Sequence, residues 1–390
     1  MTNKINKILL KLKKDNRSLH QIDISSEYIL NNFHFNYFDS HLSDKGIDRI
    51  FAFANHILSK EKTFLNNKEN NKDDLWNEIC SMEDHSKLIK YCLNKDKKNF
   101  NILINSSGKT NLVRGFATYY TYQKLSESKK KRKKEAVQLL DKLISLAEYL
   151  RLIKVYNPEQ GDWDTSNLDY KNLIEKIFNF NNKKIMPFKS PNYIYGINSK
   201  NNFYCLKDFK NFYSSIRINE ILENNKNIRT INEIGAGLGY TAYYATYINN
   251  FSYNIYDLPS ILILQAYFLM LSAGEDKIHL DGEEKKENLQ ISLYPYCDIF
   301  NHKFIDNTLW FNQDSFPEID IDIAKRYVKA MSKTNHSYLL SINQEARYIN
   351  SNSKIQYPMY EIIQNENLKL LYRSRDFLRL GYIEEFYSIN

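Results

Sequence analysis

An α/β fold is predicted for this chain: a mostly parallel sheet whose last strand runs antiparallel, preceded by a mainly helical domain. Three observations carry that expectation. Residues 201–390 alternate short β-rich runs with amphipathic helices, the rhythm of strands joined by crossovers. The run INEIGAGLGY at 231–240 puts three glycines between a strand and a helix. Two β-rich runs near 368–374 and 382–388 end the chain with no helix between them, which makes a closing antiparallel hairpin.

The elements follow in order. The chain has 390 residues, 43% of them hydrophobic, and single cores seldom grow much beyond about 250 residues, so two domains are expected, 1–200 and 201–390. In the first, helical periodicity runs from Ile47 to Leu58, from Leu75 to Leu93, and from Glu135 to Ile153, where Val137, Leu140, Ile144, Ala147 and Leu150 are three or four apart. The polar tract Asn66 to Asp74 and the turn Ser106-Ser107-Gly108 read as surface loops, and no internal repeat is visible. In the second domain strands are expected at 230–234, 253–256, 277–280, 307–312 and 337–342. Helices are expected at 239–248, 259–272, 320–332 and 357–366.

Composition sets bounds. Residues 1–200 carry 35 Lys/Arg against 23 Asp/Glu, and residues 201–390 carry 19 against 23, so the net charge of +8 belongs to the first half. A basic half suits a phosphorylated, nucleotide-linked or acidic partner, or a membrane surface, although solubility alone accounts for much surface charge. Abundant Asn, Lys, Ile and Tyr with scarce Gly and Pro is the skew of AT-rich codons, which makes 30 tyrosines weak evidence for sugar stacking. Cys80, Cys92, Cys205 and Cys297 form no CxxC pair and have no His at zinc-ligand spacing, so reduced thiols are expected rather than disulfides or a metal knuckle. The apolar stretch near Lys4 to Lys14 is too short for a signal-peptide core or a membrane span, and a cytoplasmic location without a transmembrane segment is expected.

The glycine loop narrows the chemistry. Gly235, Gly237 and Gly239 recur at every second residue, whereas a nicotinamide-binding loop spaces its glycines GxGxxG. Glycines let the backbone turn sharply against a ligand, and the following helix offers unpaired N–H groups. Glu233 stands before the first glycine, where a carboxylate repels a pyrophosphate and pairs with the ammonium of a methionine end. Eighteen residues beyond Gly239, Asp257 ends the next strand, placed to accept hydrogen bonds from ribose hydroxyls. The expected cofactor is S-adenosylmethionine, gripped by Glu233, Gly235, Ala236, Gly237, Gly239, Asp257 and Leu258. Asp281, at the end of the third strand, either faces the adenine or belongs to a solvated DGEEKKE loop.

These residues resemble the sugar O-methyltransferases of bacterial polysaccharide and glycosylated antibiotic pathways, within the class I S-adenosylmethionine-dependent superfamily and its Rossmann-like sheet. The resemblance covers roughly residues 150–390. It is carried by NPEQG (Asn157 to Gly161), a helix with Tyr213, Arg217 and Ile218, EIGAGLGY with its AYY-containing helix, YDLPSIL (Tyr256 to Leu262) and FNQDSFPEI (Phe311 to Ile319). Tyr240 replaces the small or basic residue usual after the third glycine, and residues 1–130 have no counterpart. The resemblance implies a sugar, nucleotide-sugar or glycan acceptor and an N-terminal domain that covers the acceptor or makes a homo-oligomer. It also implies that NPEQG lines the acceptor pocket through Asn157, Glu159 and Gln160, with Trp163 as a stacking face.

Ligands of open α/β sheets sit at the carboxyl ends of the strands, so the exit Asn312-Gln313-Asp314-Ser315-Phe316-Pro317-Glu318 should lie beside the transferring methyl. A sulfonium already makes that methyl electrophilic, which leaves the protein to align a hydroxyl and remove its proton. Asp314 is expected as general base or orienting group, with Glu318 helping or binding the sugar, and Asn312 near the cofactor. Asn343 and Glu345, after the fifth strand, are further substrate candidates. Tyr213 and Arg217, one helical turn apart, either meet the cofactor carboxylate or form a surface salt bridge. His279, His302 and His336 are weaker base candidates. Grouped carboxylates could hold Mg2+, but no metal is the favoured expectation.

Two motifs look functional without being so. Ser107-Gly108-Lys109-Thr110 ends like a phosphate loop but lacks the earlier glycine, since Ile102 or Leu103 stands there. Lys129 to Lys134, KKKRKK, opens an amphipathic helix and reads as a solvated face. A nucleic-acid or protein methyltransferase and a non-catalytic cofactor-binding module remain alternatives. No base-flipping signature follows the fourth strand, so nucleic acid is not the favoured partner. A nicotinamide oxidoreductase conflicts with Glu233 and with the glycine spacing.

Overall fold

Apolar residues three and four apart make the first half of the chain mainly helical. A computed structural model describes the chain apart from residues 1–18, 21, 67–74, 117–121, 156–158, 160–167, 250, 286–288, 302–303, 346–347, 350–354, 365 and 390. Helix α1 (Ser26–Asn32) leads into strand β1 (Phe33–Phe35), then α2 (Asp44–Leu65), α3 (Leu75–Cys80), α4 (Glu83–Leu93), α5 (Lys97–Asn105), α6 (Tyr122–Ser126), α7 (Lys129–Tyr149) and α8 (Tyr170–Ile177). The block expected from Leu75 to Leu93 is two helices, broken at Ser81 and Met82. Helix α7 starts earlier than its apolar pattern because Ser128 caps it, the hydroxyl accepting the Lys131 N–H at 3.4 Å. KKKRKK is thus its first turns, and Arg132 Nη1 donates to the Leu125 and Ser126 carbonyls at the end of α6. Two hairpins follow, β2 (Asn179–Phe180) with β3 (Lys183–Lys184), and β4 (Tyr195–Ser199) with β5 (Asn202–Cys205). Strand β1 pairs antiparallel with β4 to complete a three-stranded sheet.

The second half supplies α9 (Leu206–Asn224), β6 (Thr230–Ile234), α10 (Tyr240–Ile248), β7 (Ser252–Asp257), α11 (Pro259–Ala273), β8 (Ile278–Leu280) and β9 (Ile291–Pro295). Then come β10 (Thr308–Gln313), α12 (Ile321–Met331), β11 (Ser337–Gln344), the short β12 (Tyr348–Ile349) and β13 (Ile355–Gln356), α13 (Met359–Ile362), β14 (Leu368–Arg375) and β15 (Tyr382–Ile389). Eight strands form one sheet in the order β14-β15-β11-β10-β6-β7-β9-β8. All neighbours from β8 to β11 are parallel, while β15 runs antiparallel to both β11 and β14. This is the expected Rossmann-like α/β sheet with its antiparallel last strand. The chain moves from β6 to one side for β7 and returns to the other side of β6 for β10, which opens a crevice at that switch.

Two elements differ from expectation. Strand β9 is unforeseen: the charged run Glu283 to Glu287 hides the apolar Ile291 and Leu293 that follow it, and β9 rather than β8 lies beside β7. The helix expected at 357–366 is only Met359–Ile362. The cores also divide differently. One cluster joins Ile50, Phe100, Leu140 and Ile197 of the first half to Ile231, Leu264, Leu309 and Phe311 of the second, and the other gathers Ile234, Trp310, Val328 and Leu339. Neighbours along one strand, Leu309 and Trp310, fall in different clusters because they point to opposite faces of the sheet. The two clusters thus lie on opposite faces of the sheet, and Lys200, at the expected boundary, sits with φ 50° in the β4–β5 turn.

The chain ahead of α1 is tied to α7 by a buried charge cluster. The backbone N–H groups of Leu19 and His20 donate to Asp141 Oδ1 at 2.8 and 2.9 Å, and the His20 ring lies 2.8 Å from Asp141 Oδ1 and 3.0 Å from Glu148 Oε2. Burial opposes a charged ring, but the two carboxylates outweigh it and raise His20 from 6.5 to about 9. The folded value lies above the unfolded one, so the cluster's contribution is whole below pH 6.5 and is lost as pH climbs through about 9. Hydrogen exchange around His20 is expected to be slow at pH 7 and faster beyond the intrinsic increase above pH 9. His20→Ala should lower stability by roughly 3 kcal/mol in chemical denaturation and abolish that extra alkaline increase.

Candidate active site

Strand β6 ends at Ile234 and the chain turns at Gly235 with φ +71°. A Cβ there would stand 2.4 Å from Ser315 Oγ, and on Gly239, the cap of α10 at φ +85°, 2.8 Å from Leu269 Cδ1. Only glycine allows the loop to lie that close to the exit of β10 and to the face of α11. Glu233, the residue before Ile234, is 2% exposed and accepts from Tyr253 Oη at 2.9 Å. Burial pushes its carboxyl from 4.5 to about 8, and Asp257 adds to the rise. Asp257 accepts from the Leu258 N–H at 2.8 Å and Gln265 Nε2 at 2.6 Å, and burial raises it to about 7. Gln265 also donates to the Gly237 carbonyl at 2.8 Å, fastening the loop to the end of β7.

At the next strand, Asn312 Nδ2 donates to the Ile234 carbonyl at 2.8 Å and also to Ser315 Oγ, while Ser315 Oγ donates to the same carbonyl at 3.0 Å. Asn343 Nδ2 donates to Asn312 Oδ1 and to Ser341 Oγ, both at 2.8 Å. Asn312 and Asn343 thus knot the ends of β6, β10 and β11 together. Neither lines the cavity, which corrects the cofactor and substrate roles expected of them.

Asp314 has φ +60°, in the left-handed region that non-glycine residues seldom enter. Its carboxylate lies 2.5 Å from Arg379 Nη1 and 3.4 Å from Lys210 Nζ. Burial alone would raise its pKa, but Arg379, Lys210 and Lys207 outweigh it and hold the carboxyl well below the usual range. A carboxylate so stabilised is a poor proton acceptor, so the expectation of Asp314 as general base is corrected and its orienting role is what the geometry allows.

A cavity of about 1440 Å³ opens at this switch. Glu233, Gly235, Ala236, Gly237, Asp257 and Leu258 line one part, and Gln313, Asp314, Ser315 and Glu318 another. The first half closes it with Glu61, Arg114, Phe116, Tyr122 and Lys142. Tyr240 lines it as well, its hydroxyl donating to Ser190 Oγ at 3.0 Å and its ring 4.1 Å from that of Phe188.

The other expected residues lie elsewhere. Arg217 gives Nε and Nη2 to Glu384 Oε1 at 3.0 and 2.8 Å, and Tyr213 Oη donates to Glu384 Oε2 at 3.4 Å. Both are spent on a buried ion pair with β15, and neither reaches the cavity. Asp281 is held by Lys60 Nζ at 2.6 Å and His56 Nε2 at 3.0 Å, because α2 lies across the ends of β8 and β9. Lys60 also reaches Asp298 at 2.7 Å, and Arg49 meets Glu283 at 2.7 and 2.8 Å. Asp281 therefore docks the first half rather than facing the cavity.

His279, 5% exposed, lies 3.1 Å from the Glu283 carbonyl, and His336 precedes β11 and so sits at the opposite end of the sheet. Glu345 pairs with Arg373. Glu159 is exposed and does not line the cavity. Asn157, Gln160, Trp163 and His302 lie outside the described residues. Gly108 packs against the chain at Asn192, whose carbonyl a Cβ on it would meet at 1.9 Å.

Sequence reasoning missed Lys207, Lys210, Arg379 and Tyr382, which all line the cavity. Lys207 and Lys210 carry a readable signal, since they stand three apart one turn before Tyr213 on the same helix. Arg379 has none, because the β14–β15 loop is brought in only by the sheet order. Among the described residues, no group of three or more His, Cys, Asp or Glu could hold a metal ion, and no helix is long and apolar enough to cross a membrane. Among the described residues, none of the four cysteines forms a disulfide.

No family model and no curated protein matches the sequence. Among solved structures, mitomycin 7-O-methyltransferase MmcR is similar at 12% identity and a TM-score of 0.34 over 47% of this chain and 56% of that one. The pyocyanin biosynthetic protein PhzM is similar at 11% and 0.33, over 45% of this chain and 55% of that one. Magnesium protoporphyrin IX methyltransferase (ChlM) from Synechocystis PCC 6803, with bound SAH, is similar at 7% and 0.35, over 47% and 87%. The matches span little more than half the length of the first two relatives, and the fold assignment stands on the strand order itself.

Gly235→Ala is expected to force Ser315 aside and to strain a positive φ, lowering stability by about 1–3 kcal/mol in thermal or chemical denaturation.

Proposed function

We propose that the chain is an S-adenosylmethionine-dependent O-methyltransferase acting on a sugar hydroxyl, in polysaccharide or glycosylated natural-product biosynthesis. The observation that carries this reading is the pair Glu233 and Asp257. They are buried carboxyls at the ends of adjacent parallel strands, facing one cavity on either side of the glycine loop. A pyrophosphate would be repelled there, whereas an ammonium and two ribose hydroxyls supply what the two carboxyls lack. The sugar acceptor rests on the sequence resemblance, together with the polar Gln313, Gln344 and Tyr382 beside Asp314.

When bound, the cofactor supplies an electrophilic methyl on a sulfonium. Glu233 would hold its ammonium, Asp257 its ribose, and the backbone of Gly235 to Gly237 would lie along it. Asp314, fixed between Arg379 and Lys210, would accept from the acceptor hydroxyl and aim its oxygen. Glu318, on the turn after Asp314 and also in the cavity, is the carboxylate we assign to take the proton. Phe116 and Tyr240 help to exclude water.

Thermal shift with S-adenosylhomocysteine against NAD(H) tests the cofactor: stabilisation by NAD(H) alone sinks the reading. Methyl transfer from labelled cofactor to a panel of nucleotide sugars, oligosaccharides, RNA and protein tests the acceptor. Glu233 must ionise to hold an ammonium, so binding releases a proton, and affinity for S-adenosylhomocysteine should rise with pH up to about 8. Glu233→Gln is expected to bind roughly tenfold more weakly with that Glu233-dependent rise removed, as calorimetry would read. Asp314→Asn should retain cofactor binding and lose about 10- to 100-fold in kcat without removing an acidic limb from the pH–rate profile.

A further inference from the structure

Beside Asp314, two buried cations are short of acceptors. The Lys210 side chain is 13% exposed, and its ammonium, which carries three donors, has one acceptor among the described residues, Asp314 Oδ2 at 3.4 Å. Arg379, 7% exposed, gives Nη1 to Asp314 Oδ1 at 2.5 Å and places Nε 3.5 Å from Asp376 Oδ2. Its buried Nη2 has no hydrogen-bond partner among the described residues. Both residues line the cavity, and Lys207, on the preceding turn of α9, lines it with them. Buried polar groups are nearly always paired, so unmade donors on two adjoining cations mark the place of a missing anion.

We infer that Lys210 and Arg379 form a binding site for an anionic group, a carboxylate or a phosphate, carried by the methyl acceptor. This rests on the methyltransferase reading and names its substrate class: an acidic or phosphorylated sugar rather than a neutral one. Arg379 belongs to the β14–β15 loop, at the far side of β11 from β10. It reaches back over the exit of β10, where the acceptor hydroxyl must stand. Lys207, Asp314, Asp376, Glu318 and the Tyr382 ring are the charged and titratable groups around the pair. Burial lowers Lys210 from 10.5 to about 7 despite Asp314, so an anion seated there draws a proton onto it from neutral solution.

Calorimetry on the protein saturated with S-adenosylhomocysteine, at about pH 7.5 in two buffers of different ionisation heat, reads both affinity and proton uptake. The probes are inorganic phosphate, glucose 1-phosphate, glucuronate and glucose. Glucose 1-phosphate or glucuronate should bind at least about tenfold more tightly than glucose, with proton uptake, and whichever binds tighter separates phosphate from carboxylate. Inorganic phosphate should compete with it. Lys210→Met should abolish the uptake and the preference for charge, and Arg379→Lys should weaken the charged probe about tenfold while keeping the fold. Equal binding of glucose and the charged sugars overturns the inference, as does binding unaltered in Lys210→Met. A matching loss of S-adenosylhomocysteine affinity in Lys210→Met overturns it too, because the pair would then serve the cofactor carboxylate. Phosphate binding with proton uptake in a wild-type protein that binds no S-adenosylhomocysteine would support the anion site and sink the methyltransferase reading alone.

Discussion

The whole site depends on how closely the chain leaving β6 can approach the chain leaving β10. Ser315 stands where a side chain on Gly235 would be, and the Ile234 carbonyl is shared between Ser315 and Asn312. That one contact sets the height of the glycine loop above the sheet. The next residue back, Asp314, is left-handed, and its carboxylate meets α9 and the last hairpin. A looser approach would leave Glu233, Asp257 and Asp314 in separate solvated clefts, where their charge would be screened and their geometry undefined. Packed as it is, the junction keeps buried carboxyls close together at different affinities for protons.

How far this was legible depends on whether the information is local. Strand β6, the loop, β7 and β10 were readable because alternation, glycine spacing and the carboxylates at strand ends are properties of short segments, and Glu233, Asp257, Asp314 and Glu318 do share the cavity. Strand β9 was not, since a charged stretch and a short apolar run carry no periodicity to set them apart. The choice between a cofactor contact and a salt bridge for Tyr213 and Arg217 stayed open for a related reason. A helix face is legible, but its partner is Glu384, 167 positions from Arg217, and no local pattern announces it. Asn312 and Asn343 were read as ligand-facing because strand exits usually are, yet amides that join three strand ends are consumed by the junction.

Two of the cavity's carboxylates show how environment, not residue type, decides chemistry. Burial, with Asp257 adding to it, pushes Glu233 toward the neutral form against the Tyr253 hydroxyl, whereas Asp314 meets two cations and is kept ionised. The first is suited to greet a positive charge and the second to hold its own, which is a division of labour that composition alone could not express.

The seam along α2 has one more consequence. Ser43 Oγ donates to Glu275 at 2.7 Å, Arg49 grips Glu283, and Lys60 bridges Asp281 and Asp298, while beneath them Ile50 and Leu264 belong to the same apolar cluster. The helical half is therefore no detachable accessory. Removing it would strip two cations and one hydroxyl from four carboxylates and bare an apolar helix surface at once. Heating should melt both halves in one transition, and recombination with a homologous sheet would have to bring this helix along.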